Sequence, residues 1–156
     1  MGSLCIVTRI QAPIERCFDL ARSIELHMRS TASTSERAIA GTTTGLIGAG
    51  QDVTWRARHF GVWQRFTSRI TAYDRPTHFR DSMVRGAFQR FEHDHDVCQE
   101  GAETVMTDRL IYQAPCGVAG IIAERLFLTR YLQRFLTTRA QTIQRVAESA
   151  EWMTYL

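Results

Sequence analysis

Asp52-Val53-Thr54-Trp55-Arg56-Ala57-Arg58-His59-Phe60-Gly61-Val62-Trp63-Gln64-Arg65-Phe66-Thr67-Ser68-Arg69 reads as two β-strands folded back on a two-residue turn. With Phe60-Gly61 as that turn, cross-strand partners sum to 121. Val53 then faces Ser68, Trp55 faces Phe66 and Ala57 faces Gln64 on one side, while Asp52 meets Arg69 and Arg58 meets Trp63 on the other. Because side chains alternate strictly along a strand, a slip of one residue would scatter the apolar set over both faces. The hairpin therefore fixes an inner and an outer face for the strands that follow.

Working outward, a turn at Arg75-Pro76 sets Ser68 against Met83, Ile70 against Asp81 and Ala72 against Phe79. A connection at Gly86 to Phe88 then places Phe91 beside Met83, His93 beside Asp81 and His95 beside Phe79, with Arg80 opposite Asp94 and His78 opposite Asp96 outside. A four-residue loop at Gln99 to Ala102 predicts Asp108 beside His93, Leu110 beside Phe91 and Arg109 beside Glu92. The β texture runs from Glu36 to Pro115 as about six antiparallel strands. Before it come a strand over Leu4 to Gln11, a helix entered at Pro13 with Ile14, Phe18 and Ala21 on one face, and a short helix over Ile24 to Arg29. After Pro115-Cys116-Gly117, Ile121, Leu128, Leu132, Phe135 and Ile143 recur at helical spacing, with Arg125, Arg130, Arg134 and Arg145 interleaved. The expected fold is α+β, a curved antiparallel sheet of about seven strands wrapped on a long C-terminal helix, with residues 1–156 forming one domain.

Composition narrows the function. The 156 residues are 44% hydrophobic and 22% charged, with no run of roughly 18 apolar residues and no basic-then-apolar leader, so stable membrane insertion and secretion are not expected. All nineteen basic residues are Arg, and without Lys neither Schiff-base chemistry nor a Walker-type phosphate loop is available. The net charge of +3 contains no basic block, and Trp63 and Tyr73 stand isolated on the outer face, so nucleic acid is not an expected partner. Cys5, Cys17, Cys98 and Cys116 are scattered, which suits a reducing cytoplasm. A homodimer stays open.

The predicted inner face carries Trp55, Phe66, Phe79, Met83, Phe91, Met106, Leu110 and Tyr112 together with Asp81, His93, His95 and Asp108. A closed apolar core would resist that polar row, because an unpartnered buried carboxylate costs several kcal/mol. Either the groups satisfy one another, or they anchor a ligand in a wet pocket. With Asp81 and Asp108 flanking it, His93 is expected to have a raised pKa. His93-Asp94-His95 also has the strand spacing of a metal pair, with an oxygen from Asp81 or Asp108. With no third His nearby and no His-Glu-x-x-His element, no metal and no cofactor is assigned. The glycines at 41, 45, 48 and 50 do not follow a nucleotide-binding spacing and are read as a mobile loop at a pocket mouth. His27 is read as a surface residue, with a place at that mouth as its alternative.

Taken together, Ile10-Gln11-Ala12-Pro13, Glu36-Arg37-Ala38, Gly45-Leu46-Ile47, Val53 to Gly61, Phe79-x-Asp81-x-Met83-x-x-Gly86-x-Phe88, Phe91-x-His93-x-His95 and Thr107-Asp108 to Tyr112 resemble the SRPBCC or START-like superfamily. That superfamily includes polyketide cyclase/dehydrase-like proteins, coenzyme Q-binding START proteins and the Bet v-type plant allergens. The resemblance implies the helix-grip fold and a cavity between sheet and last helix for a lipid, polyketide, quinone or similar molecule. It carries no single catalytic motif, because members differ in chemistry. The leading expectation is thus a binder of a hydrophobic small molecule. The alternative is a polyketide cyclase, dehydratase or hydrolase in which His93, tuned by Asp81 and Asp108, is the general acid or base. A third class is a protein-interaction module using the arginines of the outer sheet.

Overall fold

The computed structural model describes all 156 residues. Seven strands, β1 (Gly2–Ile10), β2 (Arg37–Gly41), β3 (Asp52–His59), β4 (Val62–Asp74), β5 (His78–Arg85), β6 (Arg90–Glu100) and β7 (Glu103–Gln113), form one antiparallel sheet in the order β1-β7-β6-β5-β4-β3-β2. Two short helices, α1 (Ile14–Ala21) and α2 (Ile24–Ser30), lie between β1 and β2. The chain closes with α3 (Gly117–Ala123), a π-helical segment (Glu124–Leu128) and α4 (Thr129–Ala147). No helix is long and apolar enough to cross a membrane.

Local chemistry accounts for the boundaries. Pro13 stands at the N-cap of α1, whose buried face is Cys17, Phe18, Leu20 and Ala21. Burial pushes the Cys17 thiol up to about 11, so it packs as a small neutral side chain. Ser23 starts α2 by accepting a hydrogen bond from the Leu26 N–H at 3.3 Å. Phe60 and Gly61 both have positive φ, 51° and 76°, the backbone of a primed two-residue turn. The β3–β4 register follows as predicted, with Trp55 opposite Phe66 and Asp52 opposite Arg69.

Two predicted registers are corrected. In β4–β5, Ser68 faces Met83 and Ile70 faces Asp81, but an irregularity between Ile70 and Ala72 puts Tyr73, not Ala72, opposite Phe79. The β6–β7 connection is shorter than expected, Gly101-Ala102 rather than four residues, with Gly101 at φ 62°. Partners shift by two, so His95 faces Asp108, His93 faces Leu110, Phe91 faces Tyr112 and Arg109 faces Asp94. A shift of two preserves the faces and changes only the height of each pair. On the outer side Arg109 bonds Asp96 rather than Glu92, and Arg56, not Arg58, lies over the Trp63 ring at 4.2 Å.

The main core packs α1, α2 and the end of α4 against Ile10, Val53, Trp55, Ile70, Phe79, Val97 and Met106. A smaller cluster joins Leu110 and Tyr112 to Leu132 and Leu136. The C-terminal helix is not one regular apolar stripe, because Ile121 and Ile122 are exposed and the π-helical segment resets the phase before Leu132. The buried Glu124 in that segment accepts a hydrogen bond from the Ala114 N–H at 2.5 Å, which ties the helix to the end of β7. Gly120 lies so close to the Pro115 carbonyl that a Cβ there would overlap backbone. Gly120→Ala is accordingly expected to lower stability by about 1–3 kcal/mol despite the better helix propensity of Ala. Chemical unfolding would check this, and an unchanged midpoint would mean that the β7–α3 corner opens freely.

Candidate functional site

Between the concave face of the sheet and α4 lies a cavity of about 350 Å³, lined by 33 residues of which 21 are hydrophobic. Its walls draw on β3 and β4 (Trp55, Ala57, Phe66, Ile70), β5 and β6 (Phe79, Phe91), β7 (Leu110) and α4 (Tyr131, Leu132, Phe135, Leu136). Polar groups interrupt those walls in two places.

The first is the row on β5, β6 and β7. His93 Nε2 lies 3.1 Å from Asp108 Oδ1, and His95 Nε2 lies 3.1 Å from Asp81 Oδ2. The two imidazoles are tilted against each other with centroids 3.9 Å apart, and His95 also stacks on Phe79 at 4.1 Å. His95 Nδ1 is 2.7 Å from Asp108 Oδ1 but off the line of a regular hydrogen bond, and it is a fully buried side-chain nitrogen with no aligned partner. Arg139 of α4 completes the group, with Nη1 3.6 Å from Asp108 Oδ1 and Nη2 donating to the Ala21 carbonyl at 2.6 Å. Its guanidinium is buried at the sheet–helix interface.

Electrostatics divide the row unequally. Burial would raise both carboxylates, but His93 and His95 hold Asp108 well below the ordinary range, and the same histidines hold Asp81 down. Burial would also lower His95, yet the close Asp108 carboxylate and the bond to Asp81 outweigh it and raise that imidazole above its ordinary value. His93 goes the other way, because burial and the neighbouring His95 outweigh Asp108 and Asp81. The expectation that His93 would be raised is thus corrected: of the two imidazoles, His95 is the one whose pKa is raised. Since an ionised carboxylate only accepts, neutral His93 donates from Nε2 to Asp108 and keeps an unprotonated Nδ1, 3.9 Å from Asp81 Oδ2.

The second polar place is nearer the mouth. His27 is half-buried rather than superficial, stacks on Trp55 at 4.2 Å and meets the buried Glu36 at 3.1 Å. His59, at the end of β3, contacts the Tyr131 hydroxyl at 2.5 Å, and Phe60 packs on the Tyr131 ring at 4.6 Å. Burial lowers the His59 pKa and raises that of Tyr131, so both are neutral groups here. His59 and Tyr131 thereby bridge the hairpin tip and α4 across one end of the cavity.

Of the residues singled out in the sequence, Trp55, Phe66, Phe79, Asp81, Phe91, His93 and Leu110 line the cavity. Met83, His95, Met106, Asp108 and Tyr112 do not. Met106 belongs to the main core, Met83 lies beside Gly86 and Phe66, and Tyr112 is buried with its hydroxyl 2.6 Å from Thr129 Oγ1. His95 and Asp108 sit behind the wall as partners of His93 and Asp81. Sequence reasoning missed Glu36, His59, Tyr131 and Arg139. His59 continues the inner parity of Val53, Trp55 and Ala57, and Arg139 falls three residues after Leu136 and four before Ile143 on the buried stripe, so both carried a readable signal.

No family model matches this sequence, and no curated protein matches it. Solved structures do. TTHA0849 from Thermus thermophilus superposes with a TM-score of 0.75 at 20% identity, over 92% of this chain and 95% of that one. The major latex-like protein 151 of Panax ginseng gives 0.68 at 18% identity over 95% and 98% of the two chains. A START superfamily protein from Mycobacterium smegmatis gives 0.68 at 11% identity over 92% and 98%. At these identities the likeness is one of fold. The seven-stranded curved sheet closed by a long C-terminal helix is the helix-grip fold of the SRPBCC and START-like superfamily.

Proposed function

We propose that this chain binds a hydrophobic small molecule carrying at least one oxygen function, of lipid, polyketide or quinone-like kind, inside the cavity. The observation that carries the reading is an apolar cavity whose wall is broken by the Asp81 and His93 side chains, backed by buried partners that fix their orientation. Burying about 300 Å² of guest apolar surface would supply roughly 7–8 kcal/mol of gross driving force. Asp81 offers an acceptor and His93 Nδ1 a second, so a hydroxyl-bearing guest fits this end best. The free thiols of the chain fit a reducing cytoplasm, where we place it.

Nile red, an uncharged dye that brightens in apolar surroundings, tests the reading. Saturable one-to-one binding is expected, and Ala57→Trp, which places an indole in the cavity, should weaken it by about tenfold or more. Dye binding that ignores Ala57→Trp would place the dye elsewhere and remove the proposal. Native mass spectrometry of freshly purified protein is expected to show a stoichiometric apolar passenger.

A second reading is favoured by one feature, a His93 that lines the cavity beside Asp81 with Asp108 bonded to its Nε2. A base so oriented could remove a proton from a carbon next to a bound carbonyl. In that case His93→Asn would abolish turnover while leaving Nile red binding within about twofold. If His93→Asn instead loses dye binding with no reaction detected, the histidine only orients the guest.

A further inference from the structure

The cluster behind the cavity wall has the composition and layout of a metal site. Asp81, His93 and His95 each present one ligating atom, and these atoms all lie within 4.8 Å of one another. Asp81 Oδ2 is 3.1 Å from His95 Nε2 and 3.9 Å from His93 Nδ1. With metal–ligand bonds of about 2.0–2.2 Å, adjacent ligand atoms sit roughly 3.0–3.4 Å apart; Asp81 and His95 already stand at that spacing, and the His93 ring has to move inward, from 3.9 Å to Asp81 and from a spread of up to 4.8 Å over the three atoms.

Second-sphere geometry separates this group from an ordinary buried ion pair. A ligating imidazole usually gives its far nitrogen to a carboxylate, which fixes the ring and its tautomer. Here Asp108 Oδ1 bonds the far nitrogen of His93 at 3.1 Å and stands 2.7 Å from the far nitrogen of His95, off the hydrogen-bond line. That arrangement leaves His93 Nδ1 and His95 Nε2 both directed at Asp81. Arg139, 3.6 Å from Asp108 Oδ1, offsets the charge of the orienting carboxylate and leaves Asp81 as the ligand carboxylate.

We propose that Asp81, His93 and His95 bind a divalent first-row transition-metal ion that displaces the proton shared between His95 Nε2 and Asp81 into solvent, with Asp108 as the positioning residue through its bond to His93 and its contact with His95. Two imidazoles and one carboxylate suit zinc, iron or cobalt and are too nitrogen-rich for magnesium or calcium. Asp81 and His93 line the cavity while His95 and Asp108 lie behind it, so the remaining coordination positions open toward the guest. An ion there would accept a carbonyl, enolate or hydroxyl oxygen and polarise it. The orientation of the open positions rests on the cavity reading; the ligand set does not.

The test uses cobalt(II) as the probe, titrated into the full chain after chelator treatment and followed by visible absorption, with elemental analysis for stoichiometry. One equivalent with nitrogen–oxygen ligand-field bands, displaced by zinc, is expected. His93→Gln and His95→Gln should each abolish the bands, and Asp108→Asn should weaken binding by about 10- to 100-fold while keeping their shape. Circular dichroism establishes that each variant is folded, and an unfolded one leaves the wild-type titration to decide. The absence of saturable binding below about 1 mM in the wild type would overturn the proposal. Thiolate charge-transfer bands from Cys5, Cys98 or Cys116, or bands that survive His93→Gln in a folded protein, would overturn it equally. Nile red binding, read in parallel without metal, tells this failure from a failure of the cavity reading.

Discussion

Replacing Asp108 with Asn is expected to cost about 3–5 kcal/mol of stability, the price of unpairing a buried ionic network. The substitution keeps side-chain volume, so packing around Met106 and Leu110 is unchanged and the loss is electrostatic. Asp108 is 2% exposed and accepts from or contacts His93, His95 and Arg139. An Asn amide offers one acceptor oxygen to these three nitrogens and turns a donor toward one of them. His95 would keep only Asp81 as its counterion, and Arg139 would keep only the Ala21 carbonyl. For a chain of this length the melting temperature should fall by roughly 6–20 °C. Asp96→Asn on the outer face is the control: it meets His78 and Arg109 in a more exposed setting and should cost less than about 1 kcal/mol. Thermal and urea unfolding of both variants decide the matter. If Asp108→Asn falls within about 1 kcal/mol of wild type, the row is not an ionic unit. An Arg139→Met partner would then complete a double-mutant cycle that measures the coupling directly.

The legible part of this molecule was whatever depends on parity. Trp55, Phe66, Phe79, Asp81, Phe91 and His93 were assigned to one face because β side chains alternate, and that assignment survives any even-numbered error in loop length. The β6–β7 loop shows why. Gln99 and Glu100 belong to the strand rather than the loop, every partner across that ladder moves, and yet Asp108 stays on the inner face, diagonal to the His93 that it bonds. Height along the sheet was not legible, because nothing local to Gln99-Glu100-Gly101-Ala102 distinguishes a tight turn from a longer one except the freedom of Gly101 to take positive φ.

Depth was the other quantity that the pattern did not carry. Alternation says that Met106, Tyr112, His95 and Asp108 point inward, but whether inward means cavity wall or the layer behind it depends on α4 and on α1 and α2. Those helices approach the sheet unevenly: α1 and α2 fill the concave face over Phe79 and Met106, and α4 stands off it over Phe66 and Phe91. Arg139 arrives from a segment far away in sequence, and only its place on an otherwise apolar stripe marked it as buried. The charge assignment between His93 and His95 was illegible for the same reason. It turns on His95 lying between two carboxylates and against Phe79, a matter of distances that a one-dimensional spacing does not contain.

Stability should pass through a maximum near neutral pH, measured with chelator present so that bound metal contributes nothing. His95 has a folded pKa above its ordinary value near 6.5, so its contribution is fully present below that value and is lost as pH rises through the folded pKa. This sets the alkaline side. His93 has a folded pKa below 6.5, so its neutral form is part of the folded structure. The unfolded chain takes up that proton first, and stability falls as pH drops below about 6.5. Asp108 and Asp81 are both depressed, which adds a contribution that is present above the unfolded carboxylate value near 3.8 and lost as pH falls below it. The acid side should therefore have two stages, a shallow one from His93 and a steep one from the carboxylates. Melting temperatures between about pH 3 and pH 9 would trace both. His95→Gln should remove the alkaline slope, whereas Asp108→Asn, measured where it remains folded, should flatten the steep stage below about pH 4. An alkaline slope that persists in His95→Gln would mean that the proton sits on His93 instead, and with it the free lone pair assigned to His93 Nδ1 would be lost.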